Sequence, residues 1–398
     1  MTRQRKNSSK QSNSGRQLTV AGLFAGIGGI EAGLHRSGHT TELLCEIEPA
    51  AVAVLEANFP GAATHLDVST LRSLPAVDLV VAGFPCQDIS LAGTRSGLEG
   101  SRSGLVNEVF RLVEKGRPEF LLLENVQHLL RLASGANMHI ILNELERLKY
   151  RWAYRVVDTR GFGLPQRRHR VIILASRGDV DPGAVLFNAH VEPEFDDSIS
   201  PLEEGHTYGF YWTEGKRGVG WARDAVPTIK GGSGLGIPSP PAIFDPVTGT
   251  AGTPTIRDAE RLQGFEPDWT DVTLNDANLK AGQRWKMVGN AVSVPLADWL
   301  GRELASPASE FDSSLLSPLN EKRAWPSAAY GDLSSRRAVA ISTHVEVGSH
   351  EAIATFLREP LKPLSKKALT GYVHRARTGT KTFPDGFIEA LEVQAAAS

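Results

Sequence analysis

The stretch "LTVAGLFAGIGGIEAG", residues 18–33, decides how the fold is read. An apolar run, LTVAGLF, meets a glycine-rich turn and then a segment with helical spacing. Apolar runs of this length closed by glycine read as buried strands of a parallel sheet. Gly26, Gly28 and Gly29 let the backbone approach a ligand closely, and the helix that follows offers free N–H donors at its amino end. Alone the pattern is shared by many nucleotide sites. Its spacing is not that of a dinucleotide fingerprint, which needs a further glycine three residues after the second.

The same alternation continues outward. TELLCEIE, DLVVAGF, EFLLLEN, RWAYRVVD and RVIILAS read as strands, and GIEAGLHRSG, PAAVAVLEANF, NEVFRLVEKG and MHIILNELERLK as helices between them. This order predicts an α/β fold, Rossmann-like, with a mostly parallel sheet and helices on both faces. Residues 1–16 read as a disordered basic tail and 17–180 as the main domain. Residues 181–255, rich in Gly, Pro and Asp, read as a small irregular domain. Residues 256–305 return to the main domain, and 306–398 form an extension whose regular segments read as short helices.

Composition narrows the class. With 41% hydrophobic and 22% charged residues among 398, the chain is that of a globular protein. Two cysteines, Cys45 and Cys86, cannot build a disulfide framework or a four-thiolate metal site. The polar start lacks a secretory signal, and no run is long and apolar enough for a membrane span, so a cytoplasmic location is expected. A net charge of −2 argues against a generic polyanion binder. Arginines nevertheless concentrate between residues 147 and 177, and a second basic stretch runs from Arg358 to Lys381. His128, His139 and His169 lack metal-ligand spacing, and no metal is expected.

Chemistry-bearing residues gather at strand ends. Glu46 follows the second strand about twenty residues after the glycine turn, where an acid can hold a ribose diol. Asp67 ends the third. Cys86 follows DLVVAGFP and Glu124 follows EFLLL, at the same sheet edge. A carboxyl leaving an apolar strand is expected to have a raised pKa and to donate a proton near neutrality. Arg168 and Arg170 are two apart on an extended segment and are expected to converge on one site, where cations would favour a thiolate at Cys86. Cys45, inside a strand, reads as a packed core thiol.

Taken in order, FAGIGG (24–29), Glu46, Asp67, GFPCQ (83–87), ENV (124–126), QRRHR (166–170), RDAERLQGF (257–265) and GNAVSVP (289–295) resemble the cytosine-C5 DNA methyltransferase family. The similarity covers roughly residues 18–178 and 254–300. It implies the class I S-adenosylmethionine-dependent fold, with residues 181–255 as a target-recognition domain. It also implies that Cys86 adds to C6 of cytosine, because C5 alone is too poor a nucleophile. Glu124 would hold N3 and the exocyclic amine, Arg170 the O2 edge, and Arg168 would lie beside the cysteine or the phosphate backbone.

The methyl donor implied is S-adenosylmethionine. Phe24, Ala25, Gly26, Ile27 and Gly29 would hold it from the glycine turn, Phe24 stacking on the adenine and Gly26 and Gly29 near the amino-acid part, with Glu46 on the ribose and Asp67 on the adenine amine. Ile47 supplies aliphatic packing where family members commonly carry a larger aromatic. Val68, Pro85, Asn290 and Val292 would close the pocket. Because C6 is buried in a stacked duplex, the nucleotide must be rotated out, and residues 90–104 read as a closing loop with Ser90, Arg95 and Arg102 on DNA. Thr228 matches the recognition-domain threonine that approaches the DNA backbone. Double-stranded DNA is the expected partner, with a cognate restriction endonuclease of a restriction-modification system as a functional one, and the protein is expected to be a monomer. A transfer-RNA methyltransferase of the same fold, an idle DNA-binding module and a nicotinamide oxidoreductase remain alternatives. The last leaves Cys86, Glu124 and the arginines without work.

Overall fold

The computed structural model describes residues 15–85, 104–194, 199–216, 218–232, 239–275, 277–320, 324–347 and 349–397. Cys86, Ser90, Arg95 and Arg102 lie outside the described residues. So do residues 1–14 of the expected tail. Its last residues are pinned: the Arg16 N–H donates to the Ala305 carbonyl at 2.8 Å, and its guanidinium pairs with Glu119 at 2.5 Å.

The central sheet begins with β1 (Thr19–Leu23), β2 (Thr40–Cys45), β3 (Ala63–His65), β4 (Leu79–Ala82) and β5 (Phe120–Val126), which pair in parallel in the order β3-β2-β1-β4-β5. Every residue of β4 is buried, as its continuous apolar run requires. Beyond β5 the direction reverses. β6 (Arg151–Asp158) and β8 (His169–Ser176) run antiparallel to their neighbours, separated in the chain by the short β7 (Gln166–Arg167). The expected mostly parallel sheet is therefore a mixed one, parallel in one half and antiparallel in the other.

Helices cover both faces. α1 (Gly29–Arg36) and α2 (Pro49–Asn58) follow β1 and β2, and α3 (Leu105–Gly116) and α4 (Ala136–Arg147) flank β5. Val109, Leu112, Met138 and Ile141 pack with Leu121 and Ile173 on one face. On the other, Leu34 of α1 packs with Trp299 and Leu300 of α8 (Val294–Ala305). α5 (Pro182–Leu186) joins that face through Val185 and Leu186, so the irregular domain does not begin at 181 as the sequence suggests.

The second domain is a sheet, in the order β10-β9-β12-β13-β19. It contains β9 (Tyr208–Phe210), β10 (Trp221–Arg223), β12 (Ala242–Asp245) and β13 (Thr250–Thr253), while β11 (Val226–Pro227) leaves it to pair with β7. α6 (Ile256–Leu262), the hairpin β14 (Thr273–Leu274) and β15 (Ala277–Asn278), and α7 (Ala281–Asn290) lead back to the main domain.

The extension after 305 corrects the sequence reading most. Its three expected helices are present, but strands precede and join them. β16 (Leu316–Pro318), β17 (Ala328–Gly331) and β18 (Arg336–Val339) continue the central sheet, with β17 fully buried against β6. After the short α9 (Ile353–Phe356), β19 (Lys362–Pro363) pairs with β13, and α10 (Lys366–Thr378) and α11 (Phe387–Ala397) cover the second sheet. Tyr372 and Phe387 are fully buried against Tyr208, Phe210 and Phe244. The residues folding with the second domain thus include 362–397. Among the described residues no helix is long and apolar enough to cross a membrane.

Replacing Phe387 with alanine removes the ring that Tyr208, Phe210 and Phe244 share. Denaturant unfolding should show a loss of about 3–5 kcal/mol, the usual cost of emptying a buried aromatic position.

Candidate active site

A cavity of about 650 Å³ opens where the parallel strands end, the edge at which open α/β sheets hold ligands. Phe24, Gly26 and Ile27 reach it from the turn after β1, and Glu46 and Ile47 from the end of β2. Asp67 and Val68 follow β3, Pro85 follows β4, Glu124 comes from β5 and Arg170 from β8. Asn290, at the end of α7, faces them. The cavity size suits a nucleoside-sized ligand.

The glycine turn is shaped by close approach. Gly26 has φ +57°, a left-handed conformation that favours glycine, and a Cβ there would meet nothing within 4 Å. Gly29 differs: its Cβ would lie 2.2 Å from the Val292 carbonyl oxygen. Gly29 and Val292 therefore pack against each other and, contrary to the sequence reading, do not line the cavity. Ala25 also turns away, onto the Leu44, Leu55 and Phe59 cluster.

Glu46 organises this edge. Its carboxylate accepts from the Gly26 N–H at 2.8 Å and from the Ile47 and Glu48 N–H groups at 2.9 Å each. A carboxylate has about four acceptor positions, so three backbone bonds leave room for one further donor. Ile47 and Leu66 are 68% and 58% exposed, apolar side chains held at the rim of the same cavity. An aromatic ring lying between them would be covered without polar groups to desolvate. Cys45 also borders the cavity, and burial pushes its thiol up to about 12, so it stays protonated.

At the opposite end the Arg170 Nε lies 2.8 Å from Glu124 Oε1, and both residues are nearly buried. Glu124 is thus paired, not left alone at the end of an apolar strand. Asn125, whose role the sequence left open, donates to the Phe84 carbonyl at 2.9 Å and fixes the segment that leads through Pro85 to Cys86.

Arg168 lies near Arg170 and Glu124, as expected, but its guanidinium does not line the cavity. Strand pairing breaks at Arg168, between β7 and β8, and its side chain runs into the protein interior. The guanidinium donates to the carbonyls of Ile229 at 2.9 Å, Gly289 at 3.1 Å and Ala291 at 2.6 Å. Burial, with Arg170 nearby, holds it well below its ordinary pKa. Thr228 is on the adjoining segment, its hydroxyl donating to the Arg167 carbonyl at 2.8 Å.

Glu31 was missed. It is 1% exposed, and its carboxylate fills the space left by Gly22, where a Cβ would lie 2.2 Å from Glu31 Oε1. Burial pushes the carboxyl up to about 7, and the charge of Glu46 adds to the shift. One helical position in a polar-looking segment carries no sign of burial. The small residue opposite it, Gly22, was the only available signal.

Two outcomes follow from these groups. Glu31 has a folded-state pKa above its unfolded one, so the stability it contributes is present below about 4.5 and is lost as pH rises through about 7. Glu31→Gln should flatten that dependence and raise stability at pH 8 by about 3 kcal/mol, read from denaturant curves across pH. Arg168→Met strands three buried carbonyls at ~1–3 kcal/mol apiece, and thermal melts should register the loss even without ligand.

The comparisons agree with this geometry. The family description "C-5 cytosine-specific DNA methylase" matches residues 18–213. The Type II methyltransferase M2.BsuMI of Bacillus subtilis (strain 168) is 51% identical over 385 residues, covering 94% of this chain and 97% of that protein. Type II methyltransferase M.NgoBI of Neisseria gonorrhoeae is 30% identical over 301 residues, 69% of this chain and 89% of its own length. Type II methyltransferase M.BsuFI of Bacillus subtilis is 37% identical over 176 residues, 44% of this chain and 43% of its own. With a relative so alike along nearly its whole length, and an acid–arginine pair and glycine turn facing one cavity, the chain belongs to the C-5 cytosine-specific DNA methylase family and is a DNA (cytosine-5-)-methyltransferase of the restriction-modification type.

Proposed function

We propose that the protein methylates C5 of a cytosine rotated out of a short duplex site, using Cys86 as nucleophile and S-adenosylmethionine as donor. The observation that carries this reading is the Glu124–Arg170 pair, which faces the same cavity as the glycine turn and as Pro85, the residue before Cys86. Cytosine presents N3 and its amine along one edge and O2 beside them. An acid and a guanidinium 2.8 Å apart match that edge.

The Cys86 thiolate forms a bond to C6 while Glu124 delivers a proton at N3 and Arg170 donates to O2. The ring then carries an enamine, and C5 becomes nucleophilic. Bound S-adenosylmethionine supplies a methyl group on a cationic sulfonium. The residues that would hold it fit such a ligand: Phe24, Ile47 and Leu66 beside the adenine, Asp67 at its amine, Glu46 with one acceptor position left for the ribose, Gly26 toward the methionine end, and Asn290 closing the pocket. The C5 proton then passes to solvent, the thiolate departs from C6, and the N3 proton returns to Glu124, which releases the neutral product. Rotating the nucleotide out costs a few kcal/mol, which contacts from Ser90, Arg95, Arg102 and Thr228 to the DNA would offset. The setting we propose is a cytoplasmic monomer working beside a restriction endonuclease that reads the same site, a reading supported by the Type II names of its relatives.

Duplex DNA carrying 5-fluorocytosine has no C5 proton to lose, so with the donor present it should trap a denaturant-stable adduct with the protein. Cys86→Ser should abolish the adduct, and its survival in that variant would overturn the assignment. Glu124→Gln should slow single-turnover methylation by ~10²-fold or more, in the range usual for a lost general acid.

A further inference from the structure

We infer that the groove between α10 and the segment 212–215 of the second domain seats the phosphate backbone of the bound duplex, with Lys366 and Lys367 as its cations. The inference rests on the reading of that domain as the part that faces DNA. The groove measures about 400 Å³ and is lined by Thr213, Glu214 and Gly215 on one side and by Ser365, Lys367 and Arg375 on the other.

α10 is fastened to this segment along its length. The Arg375 guanidinium donates to the Trp212 carbonyl and, at 2.9 Å, to the Glu214 carbonyl. At the end of the helix, a Cβ on Gly379 would lie 2.8 Å from the Lys216 carbonyl oxygen. The segment in turn reaches the active-site cavity. Glu214 pairs with Lys230 at 3.2 Å, and the backbone of Lys230, two residues after Thr228, packs on Gly289, which lines the cavity. A duplex that delivers one nucleotide to the cavity is far wider than its mouth, so its backbone extends over the neighbouring surface.

Charge gives the groove its occupant. From Arg358 to Lys381 the chain carries seven Lys and Arg against Glu359 alone, in a protein whose net charge is −2. Glu359 is engaged with Arg257 at 2.9 Å, and Glu389 and Glu392 with Arg377 at 3.1 Å and 2.7 Å. Glu214 is matched by Lys230. Lys366 and Lys367 are exposed and have no acidic partner among the described residues. They occupy the first turn of α10, where positive charge opposes the helix dipole, so the helix gains nothing from them. Unpaired cations along a groove suit a row of phosphates, because each phosphate they neutralise releases counterions to the solvent.

Titration of the full chain with a duplex that it methylates and with one that it leaves unmethylated, at several salt concentrations, tests this. Lys366→Gln combined with Lys367→Gln should weaken both duplexes about tenfold and flatten the slope of log affinity against log salt by about two, one for each lost phosphate contact. Single-turnover methylation at saturating DNA and affinity for S-adenosylhomocysteine should not change, and thermal melts should show no loss of stability. Lys366→Arg with Lys367→Arg should keep the original slope. Lys115→Gln with Lys149→Gln, at the edge of the central sheet opposite the cavity, removes the same net charge and should leave the slope intact. An unchanged slope in the first variant, or an equal fall in both glutamine variants, would overturn the phosphate role while leaving DNA as the substrate. An unmodified protein that binds neither duplex would overturn the DNA-facing reading along with it.

Discussion

The guanidinium of Arg168 holds together the parts on which the site depends. It is completely buried, and its three hydrogen bonds end on carbonyls from the second domain and from the end of α7. Backbone carbonyls at a helix end carry partial negative charge, so a cation there is favoured where a free one in the interior would not be. Gln166 reinforces the same junction: it donates to the Leu262 carbonyl and accepts from the Ile229 N–H. The result is a fixed seat for the segment from Thr228 to Gly231 against α7. That contact is close enough that a Cβ at Gly289 would lie 2.1 Å from the Lys230 carbonyl carbon. The domain expected to read DNA and the wall of the cavity are thus one packed unit.

The electrostatics divide the cavity into two ends. Near the glycine turn, Glu46 spends its charge on backbone N–H groups and shapes the loop as much as any ligand. Near β8, the charge of Glu124 is matched by Arg170, whose own pKa burial lowers. Between them lie the ends of β1 and β4 with the apolar surfaces of Phe24, Phe84 and Pro85, while Ile47, Leu66 and Val68 flank the Glu46 end at β2 and β3. A ligand with a flat aromatic base and a charged tail fits that order.

Much of this was legible in the sequence because it follows from local rules. The strands β1, β2, β4, β5, β6 and β8 announce themselves as apolar runs, and each carries its chemistry at its end, so Glu46, Asp67 and Glu124 could be placed at one edge before any coordinates. Alternation along QRRHR brought Arg168 and Arg170 near each other but could not show that the Arg168 guanidinium ends on buried backbone carbonyls and not in the cavity. Gly29 read as a ligand contact because a close approach to Val292 and one to a cofactor demand the same missing side chain. The least legible part was 306–398. Its β17, AAYG, is four residues long and owes its strand conformation to pairing with β6, which no local pattern encodes. The positions of α10 and α11 depend on a sheet formed more than a hundred residues earlier in the chain.

That last dependence shapes how the protein comes into being. Gln394 bonds both the N–H and the carbonyl of Ala251, and the aromatic face around Tyr208 has no cover until α11 arrives. A nascent chain therefore emerges from the ribosome with its parallel strands able to pair early, while the module that would grip DNA waits for the residues translated after it. A product truncated before α10 and α11 would leave the aromatic face of the second sheet uncovered.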